Sequence, residues 1–240
     1  MVLNWPAILN LITYASSCST LLPLVFFLLF KKNNNEKTLK VIFYYVLYCI
    51  LNEILIYFLH CIGIKNDNIL FATFTILEFS FFCLFYKYAL PTRLVGKIII
   101  PIWWLFTIFA LGDFFLINKM NSFDSIASGI ESIFIILLCI YYLVVQLKGV
   151  NNLFVYSTSN FWIIITFLIY LSGTFFLYIM AENMTKNRNF IFQYIIINSV
   201  FNILKNILLS VAMLMKPAPT ENNQQKNVEW DDFLSHRLNN

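Results

Sequence analysis

Seven runs of mainly apolar residues divide almost the whole chain among them, and no other feature constrains the fold as strongly. They cover residues 7–30, 39–61, 69–89, 94–117, 123–147, 160–181 and 190–215. A helix crossing the hydrocarbon core of a bilayer needs about 20 such residues. Strands of a membrane barrel are about ten residues long and alternate apolar with polar positions. These runs are apolar on every face and about twice that length. The spacing therefore predicts an all-α, polytopic transmembrane bundle of seven helices.

Composition removes the soluble alternative. Of the 240 residues, 60% are hydrophobic and 12% are charged, with a mean hydropathy of +0.76. A soluble domain carries about 25% charged residues, and a core of this size has no room for so much apolar surface. Lipid must be the solvent, so the bilayer is the first expected partner. The net charge of +4 does not point to nucleic acid, because Lys and Arg fall in the short segments between runs rather than on one face.

Those basic residues predict orientation. With the N-terminus outside, the cytoplasmic segments hold Lys31, Lys32, Lys37, Lys40, Lys87, Arg93, Lys97, Lys148, Lys216, Lys226 and Arg237. The outer segments hold only Lys65, Lys119, Lys186 and Arg188. An N-out, C-in arrangement follows. The first run lacks a basic leader and is too long for a cleaved signal. Ala15-Ser16-Ser17-Cys18 resembles a lipoprotein cleavage site only faintly.

Two regions are expected: a membrane domain over 1–215 and a cytoplasmic polar tail over 216–240. Pro217 and Pro219 stop the last helix. In the tail, Trp230, Phe233, Leu234 and Leu238 can share one helical face, either lying on the bilayer or docking to a partner. No separate catalytic domain is expected. Cys18, Cys49, Cys61, Cys83 and Cys139 form no CxxC pair and read as buried apolar thiols.

Ionisable groups inside spans are expensive, and are usually paired or line a cavity. Glu53, Glu78, Glu131 and Lys205 are the candidates. At a rise of about 1.5 Å per residue, the three carboxyl groups lie about 10–13 Å from the outer span ends, in one layer. Lys205 lies about 22 Å from the outer end and about 15 Å from the inner one, too deep for its side chain to reach the interface. Asn198, Asn202 and Lys205 at i, i+4 and i+7 form one face of the seventh run, with Asn206 at its edge. The sixth run offers a stripe of Trp162, Thr166, Tyr170 and Gly173, and Ser172-Gly173 permits close helix approach. An ion pair from Lys205 to Glu78 or Glu131, with Asn202 bridging, would unite three spans. Such a polar seam can be interhelical glue, a ligand or ion site, or the wall of a lumen.

Few chemical motifs are present. His60 and His236 are the only histidines, and no His/Cys/Asp cluster has metal-ligand spacing. No phosphate loop or nucleophile motif occurs. A lysine deep in the seventh span, with a carboxylate in the third, resembles microbial rhodopsins, where such a lysine carries retinal. The resemblance is topological only. Phe201 stands where that family has Asp, Leu171 follows Tyr170 where it has Pro, and the third span lacks its Arg-Tyr-x-x-x-Asp run. No retinal or other cofactor is therefore expected. The Asp-Arg-Tyr and Asn-Pro-x-x-Tyr motifs of G-protein-coupled receptors are missing, and no three-helix repeat of the sugar-transporter kind is visible.

A wider resemblance rests on Ile76-Leu77-Glu78-Phe79, Glu131-Ser132, Phe161-Trp162, Ile169-Tyr170-Leu171-Ser172-Gly173-Thr174 and Asn202-Ile203-Leu204-Lys205-Asn206. Together these are similar to a group of small seven-helix membrane proteins of bacteria, often encoded beside sensor histidine kinases. The resemblance implies a bacterial cytoplasmic membrane, a signalling association and such a kinase as partner. It implies no reaction. The expected function is non-catalytic sensing through an outward-facing polar pocket formed by Glu53, Glu78, Glu131, Trp162, Tyr170, Asn198, Asn202 and Lys205. The alternative is a small-solute transporter or ion-conducting protein.

Overall fold

A computed structural model of the chain describes residues 5–30, 36–63, 67–90, 93–117, 125–148, 155–184 and 188–215. Eight α-helices account for nearly all of these: α1 Trp5–Ser19, α2 Leu21–Leu29, α3 Lys37–Cys61, α4 Asn68–Ala89, α5 Arg93–Gly112, α6 Ser125–Lys148, α7 Ser159–Met184 and α8 Arg188–Leu214. No β-strand occurs among the described residues. Seven stretches are long and apolar enough to cross a membrane, with α1 and α2 together forming the first, Ile8–Leu29. The protein is thus an integral membrane bundle of seven helices. The expected tail helix of 228–238 lies outside the described residues.

The first run was expected as one helix, and it crosses as one span, Ile8–Leu29, with a local irregularity at Thr20, whose N–H bonds back to the Ser17 carbonyl at 3.2 Å while its backbone stays right-handed helical. The reason is local. Pro23 has no N–H to give to the carbonyl four residues earlier, that of Ser19. Ser19 and Thr20 also turn their hydroxyls onto the Ser16 carbonyl, at 2.6 and 3.5 Å, offering the backbone an alternative to the helical ladder. Such an irregularity is tolerated at membrane depth only where protein covers it, and Ser16, Ser19 and Thr20 are all buried. A second irregularity closes the fourth span, where α5 runs into a π-helical turn, Asp113–Ile117.

The helices pack in a definite order. α8 is flanked by α7 on one side and by α1 and α2 on the other, α7 lies against α6, α3 joins α4, and α4 reaches α5 and α6. Between lipid and helix there is little hydrophobic driving force, so close van der Waals packing must hold the bundle together. Gly173 is one place where it does. A Cβ there would overlap the ring of Phe201, so α7 and α8 approach closely only because the side chain is hydrogen. Gly129 of α6 similarly admits Ile179 of α7, whose Cγ1 would lie 3.0 Å from an added Cβ.

Successive crossings give the bundle two ends. One holds the ends of α2, α4 and α6 and the starts of α3, α5 and α7, with Lys37, Lys40 and Lys87, and is called the basic end below. The other holds the start of α1. The buried core is densest toward the basic end, where Leu39, Ile42, Phe82, Phe85, Tyr86, Phe167, Leu209 and Met213 are almost fully enclosed. Phe82 and Phe167 meet edge-to-face at 4.4 Å.

Candidate functional site

Above that floor, four helices deliver polar side chains to one mid-membrane layer. Tyr45 comes from α3, Glu78 from α4, Tyr170 from α7 and Lys205 from α8. Counting from the basic end of each helix, they sit about 12, 17, 17 and 14 Å deep. All four are buried.

The central element is a relay. The Tyr45 hydroxyl donates to Glu78 Oε1 at 2.7 Å, the short distance of a hydrogen bond to a charged acceptor. With its one O–H directed at the carboxylate, the same oxygen accepts from Lys205 Nζ at 3.4 Å. The Lys205 ammonium also stands 4.4 Å over the Tyr170 ring and 5.6 Å from the Tyr45 ring centroid. Cation–π attraction of this kind strengthens where water is excluded. Lys205 is therefore linked to Glu78, of the two carboxylates expected, through Tyr45, while the Asn202 amide turns to Ser16. The direct ion pair gives way to a hydroxyl-bridged one, in which one phenol satisfies both charges.

From this layer a second chain of polar groups runs toward the N-terminal end. The Tyr170 and Tyr178 hydroxyls lie 2.9 Å apart, and Tyr178 donates to Asn198 Oδ1 at 3.4 Å. Tyr170 and Tyr178 lie two helical turns apart, which places them on one face of α7.

A third cluster surrounds the irregularity in the first span. Asn202 Nδ2 donates to Ser16 Oγ at 2.8 Å, and Asn206 Nδ2 to Ser19 Oγ at 2.8 Å. The Thr20 hydroxyl donates to Glu53 Oε1 at 3.3 Å. Asn202 and Asn206, four residues apart, thus form a ladder onto α1. Glu53 lies within electrostatic range of Lys205, which brings the relay and the third cluster to the same seam.

The expected residues separate accordingly. Glu78, Tyr170 and Lys205 share the central layer, Asn198 leads away from it, and Glu53 and Asn202 belong to the irregular turn of the first span. Glu131 is buried on α6, within electrostatic range of Cys83 of α4. Trp162 stands at the basic end, where its indole N–H donates to the Tyr156 carbonyl at 2.9 Å and pins the start of α7 to the preceding turn. Thr166, from the same stripe, returns its hydroxyl to the Trp162 carbonyl at 2.6 Å.

Sequence reasoning missed Tyr45, Tyr178 and the serines before Thr20. Tyr45 is one of 13 tyrosines and nothing local marks it. The irregularity did carry a signal, the polar run Ser16-Ser17-Cys18-Ser19-Thr20 just ahead of Pro23. Asp113 was also missed. It is almost fully buried in the π-helical turn, near the end of an apolar run where a carboxyl group looks interfacial.

Among the described residues no group of three or more His, Cys, Asp and Glu side chains could hold a metal ion. What the arrangement offers is a carboxylate and an ammonium joined by a hydroxyl that both donates and accepts, with a polar lead toward one membrane face. Compared with protein-family models, with curated proteins and with solved structures, the chain matches none.

Proposed function

We propose that this membrane protein is a non-catalytic sensor whose polar seam opens to the outer face and ends blind at the Glu78–Tyr45–Lys205 relay. One observation carries this reading. Polar groups lead from Asn198 through Tyr178 and Tyr170 to Lys205, while the side of the relay toward the basic end is filled by Leu39, Ile42, Phe82, Phe167, Leu209 and Met213. A seam polar on one side and sealed on the other suits a receptor better than a conduit. A ligand that altered the charge balance at Lys205 would act on contacts joining α3, α4, α7 and α8, so occupancy would be coupled to helix packing. The partner that receives the signal is, on the resemblance noted above, a sensor histidine kinase in a bacterial cytoplasmic membrane.

The second reading is transport of a small solute or ion along the same polar seam, which Asn202 and Glu53 extend toward the first span.

Cysteine accessibility separates the two. Cys18 and Cys61, the exposed native cysteines, are first replaced by serine. Asn198→Cys and Asn202→Cys are then expected to react with a membrane-impermeant maleimide from the N-terminal face alone. Leu209→Cys and Ile163→Cys are expected to react from neither face. Labelling of the last two from the basic end would mean an aqueous path through the floor, and would replace the sensor with the transporter.

A further inference from the structure

Beyond the relay, away from the basic end, the bundle loosens. The buried residues of α3 all fall between Thr38 and Cys49, and none from Ile50 to Cys61 is buried. Even its best-covered stripe there, Asn52, Ile56 and Leu59 at i, i+4 and i+7, is only half-buried. In α8 no residue from Asn189 to Asn198 is buried, whereas Lys205, Asn206 and Leu209 are. On the basic side of the relay Phe82 and Phe167 fill the space between α4 and α7. On the far side, Tyr178 and Asn198 border the seam half-buried, and the hydroxyls of Tyr170 and Tyr178 lie within electrostatic range of Glu78 across it.

Two donors in this part of the seam are short of acceptors. Asn198 Oδ1 accepts from the Tyr178 hydroxyl at 3.4 Å, and the amide N–H2 has no acceptor among the described residues. Asn198 lies about 13 Å from the start of the seventh span, a depth at which an unmade hydrogen bond is costly. The Lys205 ammonium carries three N–H groups. The Tyr45 hydroxyl takes one at 3.4 Å and the Tyr170 ring another, which leaves a donor with no acceptor among the described residues. Its charge, by contrast, is already answered by Glu78 through Tyr45 and by the field of Glu53. The seam therefore lacks acceptor oxygens rather than negative charge. Asn198 and Lys205 lie on one face of α8, about two turns and about 10 Å apart along it, so one small molecule with oxygens at opposite ends reaches both. The approach is apolar. Phe190, Ile195 and Ile196 of α8 are half-buried, and Leu51, Ile54 and Phe58 of α3 are exposed. Such walls disfavour a charged or heavily hydrated solute and suit one that dissolves in the bilayer.

We propose that this half of the seam binds the headgroup of a membrane quinone, a neutral ring with carbonyl oxygens on opposite sides, one accepting from Lys205 and the other from Asn198. The ring lies beside Tyr170 and Tyr178, and its apolar tail runs along the exposed half of α3. The proposal rests on the reading of the seam as a receptor and names its ligand. No electron passes to the protein.

The test uses the purified full chain in detergent, with decylubiquinone, a short-tailed quinone, as the probe. At about a hundred times its dissociation constant it should raise Tm by about 5–10 °C. Decylbenzene has a ring and the tail without the carbonyls, and should give no rise. Asn198→Leu removes one donor without creating a buried charge and should lose most of the rise. Lys205→Met combined with Glu78→Gln removes the other donor while keeping the charges balanced, and should do the same. Quinone carried through purification, extracted with organic solvent and measured by its absorbance change on reduction, should be found in stoichiometric amount, which needs no variant to fold. No rise together with no extracted quinone would overturn the proposal. So would an equal rise with decylbenzene, a full rise in both variants, or a rise with glucose alone, which would make the ligand a soluble polyol. These outcomes are separate from maleimide labelling through the floor, which would end the sensor reading and leave quinone binding standing.

Discussion

Removing the Lys205 ammonium should harm the protein more than removing it together with its counter-charge. In Lys205→Met the alkyl stem is kept and the charge is lost. Glu78 then remains buried, with the Tyr45 hydroxyl at 2.7 Å as its remaining donor. Breaking a buried pair from one side costs about 3–5 kcal/mol, whereas replacing both charges is close to neutral. For a chain of this size about 1 kcal/mol corresponds to about 2–4 °C in Tm, so the single variant should melt about 6–20 °C lower. Glu78→Gln should cost a similar amount, because Lys205 then keeps the 3.4 Å contact with Tyr45, the ring of Tyr170 and the field of Glu53, but loses the carboxylate joined to it by the phenol. The double variant should melt well above the sum of the two losses. Tyr45→Phe supplies the third leg. It keeps the ring, which packs against Phe82 and Phe167 at 6.0 and 5.7 Å, and removes only the oxygen that joins the charges. The lost bond to a charged group is worth about 1.5–3 kcal/mol in the parent, but only about 1 kcal/mol once Lys205 and Glu78 are both neutral. Size-exclusion profiles after heating, in one detergent, give all five melting points. Harmless single variants, or losses that merely add, would refute the relay and leave Lys205 solvated by water in a lumen.

Three further outcomes are expected. Gly173→Ala forces the Phe201 ring out of its place and should cost about 1–3 kcal/mol by overpacking, with Phe201→Leu in the same chain restoring most of the lost Tm; an unchanged Tm in Gly173→Ala would mean that α7 and α8 do not meet there. A phosphatase active only outside the cytoplasm, fused after Asn240 or inserted within 33–35, should be inactive in both positions, as the lysine bias requires; activity at either one would reverse the orientation. Purified protein given retinal should form no visible-absorbing pigment, because the ammonium of Lys205 is engaged by Tyr45 and Tyr170; a stable visible band lost in Lys205→Ala would show a Schiff base.

The amino-acid sequence alone determined the membrane, the helical class and the seven crossings, and the reason is that hydropathy is a local quantity. Each residue's preference for lipid adds to that of its neighbours, so a run such as 160–181 declares itself without reference to the rest of the chain. The same local reasoning identified Glu78 and Lys205 as residues that need partners, since a charge in an apolar run is costly whatever surrounds it. It could not say which partners. Tyr45 and Lys205 are 160 positions apart, and Ser16 and Asn202 are 186 apart. Whether such pairs meet depends on which helices neighbour each other and how each is rotated about its axis. Close packing decides that, for example where Gly173 admits Phe201. For this reason the tertiary structure alone chose Tyr45 over Asn202 as the bridge and set Trp162 apart from the relay. The irregularity at Thr20 belongs to both levels. Pro23 and the serines before it weaken the helical ladder locally, but only the amides of α8 and the carboxylate of α3 give the hydroxyls of Ser16, Ser19 and Thr20 partners at that depth.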